Sequence, residues 1–132
     1  MIYSTRITNA TTDTIVYTSS TTGAAVGGLI ESADTAITNI ILCNTGTPDS
    51  TDENVNTVSV TIYLLNADVS LTPSVSNTIV SNLIVPAGET IFFSDERIVL
   101  RGTSVNARGS DKVVVRASAA NLITVTVSAL IV

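Results

Sequence analysis

The sequence predicts an all-β protein folded as an antiparallel β-sandwich. Thr, Val and Ile make up 52 of the 132 residues, and these β-branched side chains fit pleated, half-buried surfaces better than helices. Strong helix formers are scarce, and no window has the apolar spacing of an amphipathic helix. The chain divides into about eight to ten short strand-like segments without helical crossovers, which is typical of a two-sheet sandwich. A jelly roll or a closed barrel is the alternative.

The length of the chain, 132 residues, predicts one domain. We expect residues 36–132 to form the sandwich core and residues 1–35 to form N-terminal strands or an arm. The N-terminal part is rich in Thr and Ser, with the short apolar pieces "IYSTRIT" and "TIVYTSS". Two ordinary edge strands are the simpler interpretation, and an arm exchanged with a neighbouring subunit is the alternative.

Two strands are predicted in the first half of the core. Residues 36–44, "AITNIILCN", are apolar on both alternations, which indicates a central strand covered on both faces. Within it we expect Cys43 to pack in the core as a small hydrophobe. After a polar loop, residues 57–65, "TVSVTIYLL", alternate clearly and predict a half-buried strand. Its core face carries Val58, Val60, Ile62 and Leu64.

Residues 82–100, "NLIVPAGETIFFSDERIVL", carry a strong turn signal. Pro86 fixes its own φ angle and Gly88 supplies a left-handed conformation. The sequence therefore predicts a hairpin in which residues 77–85 run antiparallel to residues 90–94. Alternation then places Phe92 and Phe93 on opposite faces of the sheet, so that one lies in the core and the other is a candidate interface anchor. The alternative is that the sheet and a crossing loop cover both within the monomer.

Two further strands close the chain. The segments "DKVVVRASA" and "LITVTVSALIV" are separated by a short turn near Asn121. In the last segment the apolar residues and the Thr and Ser residues occupy alternate positions. This pattern predicts one core face and one polar face.

The charges are distributed unevenly along the chain. The net charge is −5, yet residues 97–116 carry a net charge of +4 and residues 1–96 one of −9. This asymmetry favours complementary contacts between subunits over nucleic-acid binding, because no aromatic-rich basic surface accompanies it. An ordinary alternative is that the arginines pair with acids of the same chain. The candidate interface residues are Phe92, Phe93, Arg97, Arg101, Arg108 and Arg116.

The residue types present exclude most catalytic chemistry. The chain contains no histidine, which excludes Ser–His and Cys–His catalysis and the common zinc sites. The adjacent acids Asp95 and Glu96, and likewise Asp52 and Glu53, would point to opposite faces of a strand and would not form a glycosidase pair. Residues 49–54 lack the spacing of a calcium loop, and no phosphate-binding glycine loop is present. We therefore expect no enzymatic activity, no cofactor, no metal and no small-molecule substrate.

We also expect no membrane association and no secretion. No apolar run reaches the roughly 18 residues that a membrane span needs, and the first residues have neither the basic start nor the apolar run of a signal peptide.

Four segments together carry a resemblance to a known class of proteins. The segments "ITNIILCNTG", "VSVTIYLLN", "IVSNLIVPAGETIFFSDERIVLRGTSV" and "ITVTVSALIV" resemble the small β-sandwich virion proteins of tailed bacteriophages, particularly those infecting cyanobacteria and other aquatic bacteria. The likeness covers residues 36–132. It implies a non-enzymatic structural protein, foremost a capsid cement or decoration protein, with a neck or tail-fibre attachment protein as the alternative.

The resemblance also implies partners and a location. The partners would be the major capsid protein or other virion proteins, with the chain itself as a homo-oligomer. The location would be the virion, assembled in the host cytoplasm. A glycan-binding β-sandwich is a weaker third possibility, because the chain has three Tyr, two Phe and no Trp to form an aromatic sugar-binding surface.

Overall fold

The computed structural model describes residues 1–19, 25–26, 29–30, 34–94, 98–102 and 110–131. Strands account for 56% of the chain, and the described residues contain no α-helix. The predicted all-β class is therefore confirmed. The strands are β1 Ile2–Arg6, β2 Thr14–Thr18, β3 Ala25–Val26, β4 Leu29–Ile30, β5 Thr35–Asn44, β6 Val58–Leu65, β7 Thr78–Val85, β8 Thr90–Phe93, β9 Ile98–Leu100, β10 Lys112–Ala117 and β11 Ile123–Ile131.

Two antiparallel sheets pack against each other. Sheet A has the order β1-β11-β5-β8, and β9 pairs with the other end of β5. Sheet B has the order β2-β10-β6-β7, while β3 and β4 form a separate two-stranded ribbon. The sheets do not close into a barrel. The prediction of an antiparallel β-sandwich is thus confirmed.

The order of the strands is that of a jelly roll. Leaving out the β3–β4 ribbon and the short β9, the first strand pairs with the last and the second with the next to last. The pairs are β1 with β11, β2 with β10, β5 with β8, and β6 with β7. Such a nested set of antiparallel pairs, wrapped across two sheets, is the double-sheet jelly roll. The chain accordingly changes sheet at most of its connections.

The core lies between the two sheets and follows the predicted alternation. Val58, Val60 and Ile62 of β6 are fully buried, and Leu64 packs against them, partly buried. On β11 the alternate residues from Ile123 to Ala129 are all buried. The predicted core faces of both strands are therefore confirmed.

The N-terminal residues form the same edge of both sheets. β1 pairs with β11 as the edge strand of sheet A, and β2 pairs with β10 as the edge strand of sheet B. Ile7, in the connection between them, is fully buried. Within one molecule these segments therefore contribute to the sandwich.

The predicted hairpin between residues 77–85 and 90–94 is wrong. The turn itself forms, because Glu89 N donates to Pro86 O at 3.1 Å and Gly88 has a φ angle of 77°. However, β7 pairs with β6 in sheet B, and β8 pairs with β5 in sheet A. The turn thus carries the chain from one sheet to the other. The preferences of turn residues are local, and they do not reveal whether the flanking strands pair with each other.

A buried asparagine stabilises the end of the sandwich where this turn lies. The Asn44 side chain is 1% exposed, and its Nδ2 donates to Val85 O at 2.9 Å and to Asn56 O at 2.8 Å. Its Oδ1 accepts from Gly46 N at 2.9 Å. A Cβ at Gly46 would lie 2.8 Å from Asn56 Cβ, so glycine is needed for this close approach. One amide group therefore joins the end of β5, the 45–57 loop and the β7–β8 turn.

A buried aspartate has a similar role at the opposite end. Asp111, 4% exposed, accepts from Ala67 N at 2.9 Å through Oδ1 and from Arg101 N at 2.8 Å through Oδ2. Its backbone carbonyl accepts from Ser19 N at 3.0 Å. Burial of this carboxylate is compensated by charge-assisted hydrogen bonds. It ties the ends of β2 and β9 to the loop that follows β6.

Replacement of the buried asparagine should destabilise the fold substantially. Asn44→Ala removes both Nδ2 donors and the Oδ1 acceptor, which leaves buried backbone groups without partners. We expect a loss of about 2–4 kcal/mol in the free energy of unfolding, measured by chemical denaturation. Asn9→Ala, at an exposed bend, is the control and should change stability little. A loss for Asn44→Ala as small as that of the control would contradict the role given to Asn44.

Candidate interaction surface

The outer face of sheet A is the candidate interaction surface. The pairing register places Ser4, Thr126, Ile41 and Phe92 side by side across four strands. Their neighbours along β11, Val125 and Val127, are buried, so this row points away from the core. The other described members of the face are Ile2, Arg6, Ala36, Asn39, Cys43, Thr90, Val99, Thr124, Ser128 and Leu130.

This face is uncharged apart from one arginine. Among its described residues Arg6 is the only one that carries a charge at neutral pH, and none is Asp or Glu. The hydroxyl side chains of β11 and the half-buried Ile41 and Cys43 of β5 form its centre, and larger exposed apolar side chains lie around them. Ile2 is 73% exposed, Phe92 64%, Leu130 59% and Val99 54%. In a chain of net charge −5, such a face is suited to contact with another macromolecule.

The strand β5 was expected to be covered on both faces, and within the chain it is covered on one. Its inward residues Ile40 and Leu42 are buried, whereas Ile41 and Cys43 on the outer face are half-buried. The expectation that Cys43 packs in the core is therefore wrong. No described part of the chain fully covers the apolar side chains on the outer face of β5.

The two phenylalanines point in opposite directions. Phe93 pairs with Ile40 and packs, partly buried, against the core. Phe92 pairs with Ile41 and lies on the outer face. Of the two candidate anchors, Phe92 is therefore the one available to a partner.

A groove of about 590 Å³ opens beside Phe92. It lies at the edge of the sandwich, where Thr38 and Asn39 of β5 pair with neither β8 nor β9. Phe92, Val99 and Ile79 contribute exposed apolar surface to it. Asn39 Oδ1 also lines the groove region and is buried without a hydrogen-bond partner among the described residues. The groove extends the apolar part of the outer face toward sheet B.

The outer face of sheet B combines a small buried apolar cluster with an ion pair. Tyr63, Leu65 and Val114 are buried there as a second small cluster. The Arg116 guanidinium lies 5.6 Å from the centre of the Tyr63 ring, in a cation–π contact. Arg116 also donates to both carboxylate oxygens of Asp13, at 2.8 and 2.9 Å. This face also leaves Ile15 and Ile84 exposed, so it differs from the outer face of sheet A in carrying an ion pair and not in lacking apolar surface.

The predicted interface arginines do not join Phe92 on one surface. Arg116 lies on sheet B, and its hydrogen bonds to Asp13 raise its pKa above the ordinary value. Arg101 lies beyond the end of β9, 3.7 Å from Asp68. Both arginines thus face acids of the same chain, as the ordinary alternative expected. Arg97 and Arg108 lie outside the described residues.

The acidic loop 49–54 is ordered by its own hydrogen bonds. Asp49 Oδ1 accepts from the Thr51 hydroxyl at 2.7 Å, from Thr51 N at 2.8 Å and from Asp52 N at 3.0 Å. These bonds, the hydroxyl bond foremost, lower the pKa of the Asp49 carboxyl. Among the described residues no three His, Cys, Asp or Glu side chains are grouped to hold a metal. The acid pair Asp95 and Glu96 lies outside the described residues.

Sequence reasoning missed most of the outer face. It selected Phe92 from its place after a turn, but not Ile2, Val99 or Leu130. The signal that pointed to the face was the apolar outer alternation of β5, which was assigned to intramolecular cover. The sequence matches no protein-family model and no curated protein. The described residues contain no helix long and apolar enough to cross a membrane.

The hydrogen bonds of Asp49 predict a measurable titration effect. Thr51→Val removes the hydroxyl donor, so the pKa of Asp49 should rise toward its ordinary value. Because the folded-state pKa is lowered, the ionised carboxyl favours folding above the unfolded pKa, and this contribution disappears as the pH falls through the folded pKa. The variant should lose it at a higher pH than the native protein.

A carboxyl-carbon NMR titration measures this shift directly. Thr47→Val, in the same loop, is the matched control and should leave the Asp49 curve unchanged. An Asp49 curve that does not move in Thr51→Val would contradict the assigned cause.

Proposed function

We propose that the protein is a non-enzymatic structural component of a tailed-phage particle, foremost a capsid cement or decoration protein. The observation that carries this proposal is the outer face of sheet A. It is broad, free of carboxylates among its described residues, and bordered by exposed Ile2, Phe92, Val99 and Leu130. Such a face suits docking on a large protein surface such as a capsid shell.

The fold and the sequence resemblance support the same role. Jelly rolls recur in viral capsid proteins and in lectins, although a fold alone does not fix a function. The segments of residues 36–132 that resemble phage virion proteins include β5, β6, β7, β8 and β11. Three of these strands, β11, β5 and β8, are neighbours in sheet A. The resemblance therefore extends over both sheets and includes three of the strands that form the candidate surface.

A neck or tail-fibre attachment protein is the second candidate, because the same face could dock there.

A glycan-binding module is less well supported. Phe92 is exposed on the outer face, but Tyr17 and Tyr63 are buried, so the described surface has few aromatic rings for stacking on a sugar. Capsid, neck and fibre partners are all proteins, and the first experiment applies to each.

Separate alanine substitutions of the two phenylalanines test the docking surface. Phe93→Ala should lower the free energy of unfolding by roughly 2–4 kcal/mol, because the side chain packs against the core. Phe92→Ala should change stability by less than about 0.5 kcal/mol, since its side chain is exposed. The amount of each variant retained on purified particles, corrected for its folded fraction, should fall only for Phe92→Ala.

Ile84→Ala is the matched control for an exposed apolar side chain on the other sheet. Ile84 is 56% exposed and lies on β7 of sheet B. Its removal should leave particle binding unchanged. Equal retention of the Phe92→Ala and Ile84→Ala variants would refute docking through sheet A.

The number of copies per particle separates the two candidate locations. A cement or decoration protein should approach the abundance of the major capsid protein, whereas a neck protein should be present in roughly a dozen copies, as expected for a closed ring. Quantitative mass spectrometry of purified particles measures this ratio. Absence of the protein from the particles would overturn the proposed function for both locations.

A further inference from the structure

The edge strand β1 has backbone hydrogen-bonding groups that no described residue of the chain uses. Ile7 N donates to Ile123 O at 2.9 Å, and Met1 O accepts from Ala129 N at 2.8 Å, so the odd-numbered residues direct their backbone groups toward β11. Backbone groups of successive residues in a strand point in opposite directions. The N–H and C=O groups of Ile2, Ser4 and Arg6 therefore point away from sheet A. The register from Ile2 to Arg6 contains no bulge, so the alternation is unbroken.

The other described sheet edges are less suited to strand addition. At the β2 edge the register shifts between Val113 and Val114 of the adjoining strand. The β7 edge contains two register shifts and a left-handed residue, Asn82, with a φ angle of 49°. On the far side of sheet A, β8 and β9 have four and three residues. Bulges and short strands are the usual protection of an edge, and β1, which also lacks Pro and Lys, has neither.

We propose that β1 pairs with β1 of a second copy of this chain, antiparallel about a two-fold axis at Ser4. In this register Ser4 faces Ser4 of the second copy, Ile2 faces Arg6, and Tyr3 faces Thr5. The small serine side chains permit close approach at the centre. At each end Ile2, which is 73% exposed in the single chain, faces the aliphatic stem of Arg6 of the other copy. The guanidinium of Arg6 donates to Asn121 O of its own chain at 2.6 Å.

The charges permit this arrangement. The two copies of Arg6 lie four residues apart along the seam, or roughly 13 Å at the usual rise of a strand. This distance exceeds the Debye length of about 8 Å at physiological ionic strength, so their repulsion is weak. The described outer face next to β1 holds no carboxylate. At other parts of the surface the net charge of −5 makes contact between two copies less favourable than at β1.

The side chains beside β1 favour a second copy over a strand of another protein. Specific addition of a foreign strand relies on pockets that receive its alternate side chains. On the outer face, the residues adjacent to β1 are Thr124, Thr126 and Ser128, which form a flat hydroxyl surface. Pairing between identical strands needs no such pocket, and two-fold dimers are the commonest protein oligomers.

The two-fold axis would stand perpendicular to the sheet and keep both outer faces on one side. The two A sheets would then form one continuous sheet with twice the uncharged surface. A seam of five residues from each copy buries less surface than the roughly 1,000 Å² that a stable complex needs. The pairing should therefore be weak and concentration-dependent. The inference does not depend on a role in the virion.

Sedimentation velocity across a wide range of protein concentration tests the pairing. The native chain should shift from monomer to dimer as concentration rises. Ser4→Pro removes the outward N–H and the hydroxyl contact with Thr126 of β11 but keeps the backbone hydrogen bonds between β1 and β11, so it should remain monomeric at every concentration. Ser4→Ala loses the same hydroxyl but keeps the N–H, and should dimerise like the native chain. A monomeric native chain, or identical behaviour of the two variants, would overturn the proposal.

Amide hydrogen exchange on the native chain provides a readout that needs no variant. The amides of Ser4 and Arg6 should exchange rapidly in dilute solution and become protected as the concentration rises, whereas those of Tyr3 and Thr5 should be protected in both conditions. Rapid exchange of Ser4 and Arg6 in a sample that sediments as a dimer would place the contact elsewhere and refute the β1 seam.

Discussion

The hydrogen bonds of Asn44 are the constraint on which the arrangement of sheet A depends. Its side chain binds the carbonyls of Val85 and Asn56, and its backbone starts the ladder between β5 and the chain that leaves the turn. Gly88 N donates to Asn44 O at 3.0 Å, and Asn44 N donates to Glu89 O at 2.9 Å. Cys43 then faces Thr90, and Ile41 faces Phe92. A slip of one residue in this ladder would exchange the positions of Phe92 and Phe93. The backbone register that begins at Asn44 thus determines which aromatic ring faces outward.

Local patterns in the sequence were sufficient for the strands and insufficient for their partners. The alternation of apolar and polar residues in β6 and β11 predicted their core faces, because successive side chains of a strand point to opposite faces of the sheet. The turn at Pro86 and Gly88 was also found, but its strands belong to different sheets, since the jelly roll pairs β5 with β8 and β6 with β7. Asn44 was not recognised because its side-chain partners lie 12 and 41 residues away. Contacts of that range cannot be read from a local motif.

The same limit explains the outcome for the candidate surface. Phe92 was selected because alternation in a strand is a local property. Arg101 and Arg116 were selected from the charge along the chain, but the fold places each beside an acid of the same molecule, Asp68 and Asp13. Ile2 and Leu130 come from opposite ends of the sequence and meet only because β1 pairs with β11. A surface assembled from five strands is defined by the topology of the sheet, so its members cannot be grouped from their positions along the sequence.

The two faces of the sandwich have different characters, and this difference connects the fold to the proposed role. The outer face of sheet B carries the Arg116–Asp13 ion pair beside the exposed Ile15 and Ile84, whereas the described outer face of sheet A is nearly uncharged. The free edge at β1 borders that face, so pairing of two copies would enlarge it. Docking on a large assembly and association between copies would then use adjacent parts of one sheet.

Cys43 provides the most direct test of the central claim that sheet A docks on the particle. It is the only cysteine of the chain and is half-buried on the outer face, beside Thr90 and Thr124. The measurement is its rate of alkylation, followed by mass spectrometry of the peptide that contains it, in the free protein and in purified particles. Docking through sheet A predicts a markedly slower reaction in the particle. Equal rates in the free and particle-bound protein would contradict it.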